Sequence, residues 1–442
     1  MSTSLALAER NVPRYTSYPT APHFSSVVGP ELYGEWLAAL PPKASLSVYI
    51  HVPFCTDLCF YCGCNTRAVR KREPIDAYAE RLIEEVALLE GLSGRKLTHL
   101  HWGGGTPSIL GPAWLETIAA TLASRFDLSG LKEHAIELDP RRLDKPLVRT
   151  LKAIGINRAS LGMQDANPHV QQAIGRVQPF ELVERAASWL REAGIENLNL
   201  DLMYGLPGQT ARDAAHSAEL AVSLEPQRLA LFGYAHVPWF KTHQRLIDDA
   251  TLPGPSERLE QAQASAETLI SFGYQTVGLD HFALPGDELC IAARSQRLHR
   301  NFQGYTTDDA DALIGLGASA IGRLPQGFVQ NAPDLGGYSR AVGAGRLATA
   351  KGLALSDEDR IRSAIIERLM CDLGVDLDCA AGGSARFAAE IDALRVLAGD
   401  GLLKIDGARI TVTEQGRPYV RIAAAAFDTY LAASQKRHSV AV

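Results

Sequence analysis

The chain has 442 residues, of which 46% are hydrophobic and 21% are charged, and its formal net charge is −6. This length predicts a sizeable core divided over two or three domains. The acidic balance excludes a global basic field for nucleic acid, and no apolar run reaches the roughly 18 residues that a membrane helix needs. Because the N-terminus also lacks the basic start and apolar stretch of a signal peptide, we expect a cytoplasmic protein.

Between about residues 47 and 280, short apolar runs alternate with helix-like segments. The runs are SVYIHVPF, LTHLHW, AIELDP, RASLGM, LNLDLMYGL and RLALFGYA. The helix-like segments cover 75–91, 112–126, 143–153, 180–193, 209–223 and 256–272. This alternation is typical of βαβ units and a parallel sheet. The number of units predicts an α/β fold with a full or partial TIM-type (β/α) barrel, with a doubly wound sheet as the alternative.

The pattern changes after about residue 286, where Gly, Arg and polar residues show weak periodicity. Ser356 and Asp359 form a plausible capping pair for a helix. Helix-like runs at 356–373 and 384–398 then precede two short strands around Asp406-Gly407, which is a hairpin signal. These elements predict a smaller, mainly helical C-terminal domain with a winged-helix-like character.

Cysteine is concentrated in one short segment. Four of the seven cysteines lie in CTDLCFYCGC, at positions 55 to 64. The other three, Cys290, Cys371 and Cys379, are isolated, and we expect each to be a small buried hydrophobic residue. A disulfide framework is typical of small secreted domains and not of a long cytoplasmic chain.

Three interpretations of the clustered thiols are open, since thiolates bind zinc, copper(I) and iron–sulfur clusters. A structural zinc site usually draws on two separated pairs, and a thioredoxin-like redox pair leaves Cys55 unexplained. An iron–sulfur cluster draws several thiolates from one compact loop. Cys55, Cys59 and Cys62 would leave one iron of a [4Fe-4S] cluster open, which is the mark of a catalytic site. We therefore favour the cluster, and Cys64 has little slack to act as a fourth ligand.

Each apolar run ends in polar or glycine-rich residues, and the chemistry of a (β/α) barrel lies where its strands end. The glycines of Gly103-Gly104-Gly105-Thr106-Pro107 allow a ligand to approach the backbone closely, although they are also typical of a simple turn. The carboxylates of Glu137 and Asp139 could accept hydrogen bonds from a ribose diol or could be ordinary solvated acids. The later candidates are Gln164, Asp165, Arg176, Asp201, Tyr234, Ala235 and His236.

The x3 and x2 spacing of Cys55, Cys59 and Cys62 resembles the signature of the radical S-adenosylmethionine superfamily. The resemblance implies that the open iron binds the amino and carboxyl groups of S-adenosylmethionine. One electron from the cluster would then break the sulfonium bond and give a 5′-deoxyadenosyl radical. The glycine segment after the second run would hydrogen-bond the methionine amino group.

Further segments are similar to the oxygen-independent coproporphyrinogen III oxidase family, over nearly the whole chain. They are RYTSYPTA at 14–21, CGCN at 62–65, GLDHFALP at 278–285, RNFQGYTT at 300–307 and FDTYL at 427–431. The resemblance implies anaerobic haem biosynthesis. Two propionates of coproporphyrinogen III would become vinyl groups, giving protoporphyrinogen IX and two molecules of carbon dioxide, after the radical removes a hydrogen from each propionate β-carbon.

The same resemblance implies two bound molecules of S-adenosylmethionine. The residues matched to the first are Tyr49, Tyr61, Gly104, Glu137 and Ile321, and those matched to the second are Gly105, Thr106, Gln164, Arg176, Asp201 and Ala235. The implied catalytic positions are Tyr49, Glu137, Phe302 and Gln303, of which the last two are also typical of a packed loop. Tyr61 occupies a position that is often Phe in the family, and Cys64 matches a cysteine that does not bind the cluster.

The implied substrate is a tetracarboxylate, so a chain of net charge −6 must supply local cations. The candidates by position are Arg14, Arg67, Arg70, Lys71 and Arg72, although Lys71 and Arg72 are also typical of a solvated basic face. The resemblance implies an electron donor and an electron acceptor, neither of which the sequence identifies. We expect a monomer that binds neither nucleic acid nor membrane.

The resemblance also divides the chain into three parts. We predict an N-terminal arm over the active site at 1–45, a radical S-adenosylmethionine barrel at 46–345 and the C-terminal domain at 346–442. The nearest alternative is a haem chaperone of the same superfamily, whose members lack the RYTSYPTA arm and the cysteine at the position of Cys64. An interaction protein stapled by zinc is the alternative from another class.

Overall fold

The computed structural model describes residues 7, 9–381 and 383–433. The outer ends of the predicted arm and of the predicted C-terminal domain, 1–6 and 434–442, lie outside the described residues. The signal-peptide prediction depends in part on residues 1–6 and 8, which also lie outside the described residues.

The structure alternates strands and helices over most of its length. The strands are β1 (Leu46–Val52), β2 (Phe54–Cys55), β3 (Arg67–Ala68), β4 (Leu97–Gly104), β5 (Glu133–Leu138), β6 (Arg158–Gln164), β7 (Asn197–Tyr204), β8 (Arg228–Gly233), β9 (Gln275–Val277), β10 (His281–Ala283), β11 (His299–Asn301), β12 (Gly304–Thr306), β13 (Ala312–Leu316), β14 (Ile321–Leu324), β15 (Gly327–Asn331), β16 (Thr349–Ala354), β17 (Gly374–Asp376), β18 (Leu403–Asp406) and β19 (Arg409–Val412). The α-helices cover Pro30–Ala38, Glu73–Leu88, Pro112–Arg125, Lys145–Ala153, Pro168–Ala173, Phe180–Glu192, Ala211–Ser223, Pro255–Ser271, Glu288–Arg294, Leu335–Gly343, Asp357–Asp372, Leu377–Ala381, Ala388–Gly399, Val420–Ala425 and Thr429–Ala433. The 3₁₀ helices cover Ala21–His23, Glu90–Leu92, Pro107–Leu110, Pro140–Arg142, Thr242–Leu246, Asp249–Thr251, Ser384–Phe387 and Arg417–Tyr419.

Twelve strands form one sheet in the order β16-β15-β14-β13-β1-β4-β5-β6-β7-β8-β10-β9. The central seven strands, β13 to β8 in this order, are parallel, and the outer strands are antiparallel. Six strand–helix units follow one another around the sheet without the reversal of order that a doubly wound fold requires. The predicted partial (β/α) barrel is therefore confirmed, and the doubly wound alternative is wrong.

The weakly periodic segment after residue 286 contributes strands to this same sheet. β13 lies beside β1 in parallel register, with Gly315 opposite Tyr49. β16 lies beyond the predicted boundary at 346, yet it pairs with β15. The sheet therefore extends at least to Ala354, while the division into three parts stays a prediction.

The predicted helix start and the predicted hairpin are both present in the C-terminal part. The Ser356 hydroxyl accepts a hydrogen bond from the Asp359 N–H at 3.1 Å, and the Ser356 N–H donates to Asp359 Oδ2 at 3.0 Å. This capping box starts the helix Asp357–Asp372. β18 and β19 form the predicted hairpin, whose Gly407 has a positive φ of 58°. β17 joins them to make a sheet of three strands.

The N-terminal arm packs into the core of the C-terminal part. Val12, Tyr15 and Tyr18 belong to the same buried cluster as Phe387 and Phe427. Burying such large side chains contributes about 1.5–3 kcal/mol each to stability. The separate cluster beneath the large sheet is built from its strands and their helices. The first segment of the chain therefore lies against the last.

The structure also tests the expectations for the isolated cysteines and for membrane-spanning helices. Cys290 and Cys371 are buried as predicted, but the prediction for Cys379 is wrong, because its side chain is exposed on the helix Leu377–Ala381. None of the helices in the described ranges combines the length and the apolar character that crossing a membrane requires.

Glu85 is a buried acid beneath the end of β13. Its carboxyl group accepts hydrogen bonds from the Gly317 N–H at 2.7 Å, Asn331 Nδ2 at 2.6 Å and the Tyr338 hydroxyl at 2.8 Å. Burial raises the pKa of Glu85 to about 7, although these three hydrogen bonds act in the opposite direction. The folded chain therefore retains a proton that the unfolded chain releases at lower pH.

This proton makes stability depend on pH, and Glu85→Gln tests the dependence. Since the pKa of Glu85 is raised on folding, the stability that its proton contributes is complete below the unfolded pKa. It is lost as the pH rises to about 7, by about 3 kcal/mol in total. Gln does not titrate, so we expect the variant to gain about 3 kcal/mol relative to the wild type between pH 4 and pH 8. Urea denaturation measures both proteins, and a difference that stays constant with pH would contradict the assignment.

Candidate active site

The carboxyl ends of the central parallel strands open on one cavity of about 680 Å³, which we call the rim cavity. Gly104, Leu138, Gln164, Met203 and Gly233, from five consecutive strands, all line it. The predicted site residues on its wall are Cys55, Cys59, Tyr61, Cys62, Gly104, Gly105, Thr106, Glu137, Gln164, Arg176, Asp201 and Ala235. The strand ends therefore bring together residues that are up to 180 positions apart in sequence.

The cysteine loop begins at the end of β2 and forms one side of the rim cavity. Cys59 is buried, Cys55 and Cys62 are half-buried, and Cys64 is accessible from the cavity. The Thr106 hydroxyl donates to Cys55 Sγ at 3.4 Å, and Arg176 Nη1 donates to Cys59 Sγ at 3.6 Å. Donors of this kind stabilise sulfur that carries negative charge.

Cys62 and Cys64 contact each other directly. Their hydrogen bond lowers the pKa of Cys62 to about 7 and raises that of Cys64 well above its ordinary value. Cys62 therefore loses its proton more readily than Cys64.

A second loop, around Lys241, holds the cysteine loop through hydrogen bonds, and no motif in the sequence predicts these contacts. Lys241 Nζ donates to the Cys64 carbonyl at 2.8 Å, and His243 Nε2 lies 2.7 Å from the Cys62 carbonyl. Gln244 Nε2 donates to the carbonyls of Tyr61 at 2.9 Å and Ala235 at 3.2 Å. These contacts fix the backbone that presents the thiols.

The glycine segment at the end of β4 is required by close packing. Gly104 has φ of 110°, and a Cβ atom there would lie 2.6 Å from the His51 ring. A Cβ atom on Gly105 would lie 2.5 Å from the Phe54 carbonyl oxygen. Only glycine fits these two positions, so the segment is more than a simple turn.

Glu137 is oriented and ionised at the end of β5. The Gly104 N–H donates to its Oε2 at 3.0 Å, and His101 Nε2 donates to Oε1 at 3.2 Å. Burial would raise the pKa of Glu137, but the contacts with His101 and Gly104 outweigh it and lower the pKa. A fixed carboxylate therefore faces the rim cavity.

Arg176 links the thiols to the next strand. Its Nη2 donates to the Gly162 carbonyl at 2.7 Å and lies 3.5 Å from Asp139 Oδ1. Burial would lower its pKa, but Tyr61, Asp139 and Cys59 outweigh burial and raise it. Its Nε is buried without a hydrogen-bond partner among the described residues. Such an orphaned donor costs free energy unless a bound group accepts from it.

Gln164 and Asp201 complete the wall on β6 and β7. Gln164 has φ of 66° at a shift in strand register, which turns the chain at the cavity edge. Asp201 accepts hydrogen bonds from the Ser160 hydroxyl at 3.0 Å and Asn199 Nδ2 at 2.9 Å. Burial, and then the charge of Glu137, raise the pKa of Asp201 to about 6.

Asp165 and His236 do not line the rim cavity, and neither do four of the residues that the resemblance matched to cofactor or catalytic positions. Tyr49, on β1, shares a hydrogen bond of 3.0 Å with His51 and packs against Gly103, and Ile321 is on β14, two strands away. Gln303 lines a smaller space of about 150 Å³ whose walls include Glu137 and Asp201, so it approaches the same carboxylates from below. Phe302 does not line that space, and its ring packs edge-on against Phe328.

The predicted basic residues separate into two groups. Arg14 lies on the wall of the rim cavity. Arg70 and Arg72 instead form ion pairs with Asp57 and Asp76, and Arg67 stacks over Phe54. Of these residues, the structure brings only Arg14 to the site.

The thiols fit a cluster better than a single ion. Within the described ranges, no three His, Cys, Asp or Glu side chains are close enough to share one metal ion. A zinc ion would need its donors about 2.0–2.3 Å from one point. A cluster spreads its ligands over several irons, as the separated Cys55, Cys59 and Cys62 and the donors to their sulfurs allow.

Comparison with known proteins agrees with this geometry. The pattern of the Radical SAM superfamily matches residues 49–221, and that of the HemN C-terminal domain matches residues 355–419. The chain is 46% identical over 445 residues to the oxygen-independent coproporphyrinogen III oxidase of Bradyrhizobium diazoefficiens, covering 99% of both chains.

The chain belongs to the oxygen-independent coproporphyrinogen III oxidase family. It is also 39% identical to the Escherichia coli family member over 425 residues, covering 95% of this chain and 93% of that one. The solved structure of coproporphyrinogen III oxidase from E. coli, a radical SAM enzyme, superposes with a TM-score of 0.90 at 38% identity. It covers 95% of this chain and 100% of its own. Membership of this family implies a 4Fe-4S cluster and S-adenosylmethionine.

Several residues around the rim cavity were not predicted from the sequence. Arg141, which pairs with Asp139 at 2.7 Å and reaches Cys59 Sγ at 3.9 Å, directly follows the third apolar run. His101 lies within the second run itself, where strand alternation would have pointed it toward Glu137. Lys241 and Gln244 carried no signal, because their contacts form only when two loops meet.

Substitution of single cysteines tests the ligand set. We expect Cys55→Ser, Cys59→Ser and Cys62→Ser to lose bound iron, bound sulfide and the visible absorbance of the cluster, because each removes one thiolate. Cys64→Ser is the matched control, since Cys64 lines the same cavity, and it should keep all three signals. Iron and sulfide analysis of anaerobically reconstituted protein measures the outcome, and a Cys64→Ser protein without cluster would contradict this assignment.

Proposed function

We propose that this chain oxidatively decarboxylates two propionate side chains of coproporphyrinogen III to vinyl groups, giving protoporphyrinogen IX in the absence of oxygen. The observation that carries the proposal is the convergence of three thiols, a glycine segment and two carboxylates on the rim cavity. The relatives named as oxygen-independent coproporphyrinogen III oxidases support it over 95–99% of the chain. A haem chaperone is not favoured, because the matching relatives are named as oxidases.

Cys55, Cys59 and Cys62 would hold the [4Fe-4S] cluster and leave one iron for S-adenosylmethionine. When bound, these two groups supply a 5′-deoxyadenosyl radical, which removes a hydrogen atom from the propionate β-carbon. Hydrogen bonds from Thr106 and Arg176 to the cysteine sulfurs would tune the reduction potential of the site. The loop around Lys241 would keep the thiols in place and exclude water from one side.

Glu137 is suited to bind the ribose of the first S-adenosylmethionine. Its carboxylate is ionised and oriented by His101 and by the Gly104 N–H, so it can accept from a diol without reorganisation. The Tyr61 backbone is fixed through its carbonyl by Gln244, which supports an adenine contact through the main chain. Family members often have Phe at the position of Tyr61. Because the contact is through the main chain, the added hydroxyl leaves it unchanged. Tyr49 and Ile321 would contribute from the neighbouring strands.

Asp201 and Arg176 are suited to bind a second S-adenosylmethionine. The orphaned Nε of Arg176 would donate to a carboxylate of the ligand, and Asp201 is ionised above about pH 6 and can accept from a second ribose. Gly105, Thr106, Gln164 and Ala235 complete this part of the rim cavity wall.

The reaction at each propionate is balanced when an acceptor takes up one electron. A C–H bond at the β-carbon breaks, the bond between the α-carbon and the carboxylate then breaks, and carbon dioxide leaves as the vinyl group forms with loss of one electron. Gln303 and Tyr49 lie near Glu137 and would position the reacting carbon, and Phe302 would support the Gln303 loop. The electron donor, the acceptor, the monomeric state and the cytoplasmic location stay predictions.

An anaerobic assay with coproporphyrinogen III, S-adenosylmethionine and a reductant tests the function. We expect one protoporphyrinogen IX and two carbon dioxide molecules per substrate, with fluorescence of the oxidised porphyrin as the measurement. Cys59→Ser protein is the control and should form no vinyl product. Turnover that persists after prolonged aeration would contradict a mechanism that depends on an exposed iron.

Equilibrium binding tests the second cofactor molecule. We expect labelled S-adenosylmethionine to saturate at two molecules per reconstituted wild-type chain. In Asp201→Asn, the second molecule should bind roughly 10- to 100-fold more weakly, because a charged hydrogen-bond acceptor is lost. Asp165→Asn is the matched control, since Asp165 is also buried at a strand end but bonds to Asn167 and Gln209 outside the cavity wall. Saturation at one molecule in the wild type would contradict the second site.

A further inference from the structure

A second cavity of about 570 Å³ adjoins the rim cavity, and the proposed function assigns no role to it. The two spaces share the wall formed by Arg14, Phe232, Gly233 and Tyr234. We call this space the arginine cavity. It lies where the N-terminal arm, the ends of β7 and β8, the helix Pro255–Ser271 and the C-terminal part meet.

The arginine cavity has an excess of positive charge. The arginines on its described wall are Arg14, Arg258, Arg300, Arg417 and Arg421, and the carboxylates are Asp280 and Glu414. Arg417 is already paired with Glu414 at 2.7 Å. Arg300 and Arg14 lie beside Asp280, and Arg258 and Arg421 also line the described part of this wall, in a chain whose formal net charge is −6.

The pKa values of three charged groups on this wall reflect their burial close together. Burial, together with the neighbouring arginines, lowers the pKa of Arg14 and lowers that of Arg421 to about 9. The pKa of Asp280 shifts in the direction that favours its charged form. Burial would raise its pKa, but Arg300, His281 and Arg14 outweigh burial and lower it.

Arg300 supplies the most specific indication of a ligand. Its side chain is only 6% exposed and stacks over Tyr305 at 4.4 Å. Its Nη1 lies 3.7 Å from Asp280, beyond hydrogen-bond distance, and among the described residues neither Nη1 nor Nε has a hydrogen-bond partner. A buried guanidinium with two unused donors is suited to a planar oxyanion, since guanidinium and carboxylate pair through two parallel bonds.

We propose that the arginine cavity binds the carboxylates of the tetrapyrrole substrate that do not react. This inference rests on the proposed function. The substrate carries four carboxylates, two of which leave as carbon dioxide, while the other two persist in the product and need a binding site of their own. Leu279 and Phe282 give the cavity an apolar wall for pyrrole rings. The shared wall at Arg14 and Gly233 lets one molecule extend from this cavity into the rim cavity.

Arg300→Gln and Arg258→Gln test this assignment in the reconstituted full-length protein. We expect each variant to raise the KM for coproporphyrinogen III roughly 10- to 100-fold, because a charged contact with a carboxylate is lost. Cluster absorbance and the affinity for S-adenosylmethionine should not change. Arg300→Lys keeps the charge without the planar fork and should give an intermediate KM.

Arg362→Gln is the matched control. Arg362 is also a buried arginine that stacks on an aromatic ring, Phe387, but it pairs with Glu358 and Glu390 and lines neither cavity. Its KM for the tetrapyrrole should equal that of the wild type, even if its stability falls.

The results distinguish a failure of the assignment of the arginine cavity from a failure of the proposed function. Unchanged KM for the tetrapyrrole in all three cavity variants of an active enzyme would overturn the assignment of the arginine cavity. A raised KM for S-adenosylmethionine instead would also overturn it, because the arginines would then bind the methionine carboxylate. A wild type that forms no vinyl product would overturn the proposed function, and this inference with it.

Discussion

Parallel pairing of consecutive strands is the constraint on which the site depends. Because β1, β4, β5, β6, β7 and β8 run in one direction and in sequence order, every strand delivers its last residues to the same rim. Thiols, glycines and carboxylates that are far apart in the chain therefore share one cavity. The same pairing forces Gly104 and Gly105 into contact with the neighbouring loop, so the backbone of the glycine segment becomes part of the wall.

The charged groups that line the rim cavity are balanced by neighbouring residues and not by solvent. Glu137 is held by His101 and a backbone N–H, and Arg176 is held between Asp139, Cys59 and the Gly162 carbonyl. Burial alone would neutralise these groups, and only close partners keep them charged. The atoms left without partners, such as Arg176 Nε, then mark where a ligand is needed. A polar network with such gaps is typical of a binding site and not of a structural core.

The fold was predictable because its signals are local. Six apolar runs that alternate with helix-like segments predict the barrel, and Ser356 with Asp359 predicts a helix start that the structure contains. β13 was not predictable from its own pattern, since it is a short strand recruited to β1 from a weakly periodic segment. In the site, residues next to a strand end were found, whereas Lys241 and Gln244 were missed, because their partners are carbonyls of another loop. Cys379 was misjudged because its exposure depends on a helix that only the fold defines.

The arm and the C-terminal part together line the arginine cavity. Arg421 donates to the carbonyls of Val12 at 2.5 Å and Pro13 at 3.0 Å, and the Tyr15 hydroxyl donates to Asp428 at 3.0 Å. These contacts fix Arg14, whose Nη2 donates to the Gly233 carbonyl at the end of β8. Residues about 400 positions apart therefore place one guanidinium between the two cavities. The C-terminal part therefore helps to position Arg14, which lines both cavities.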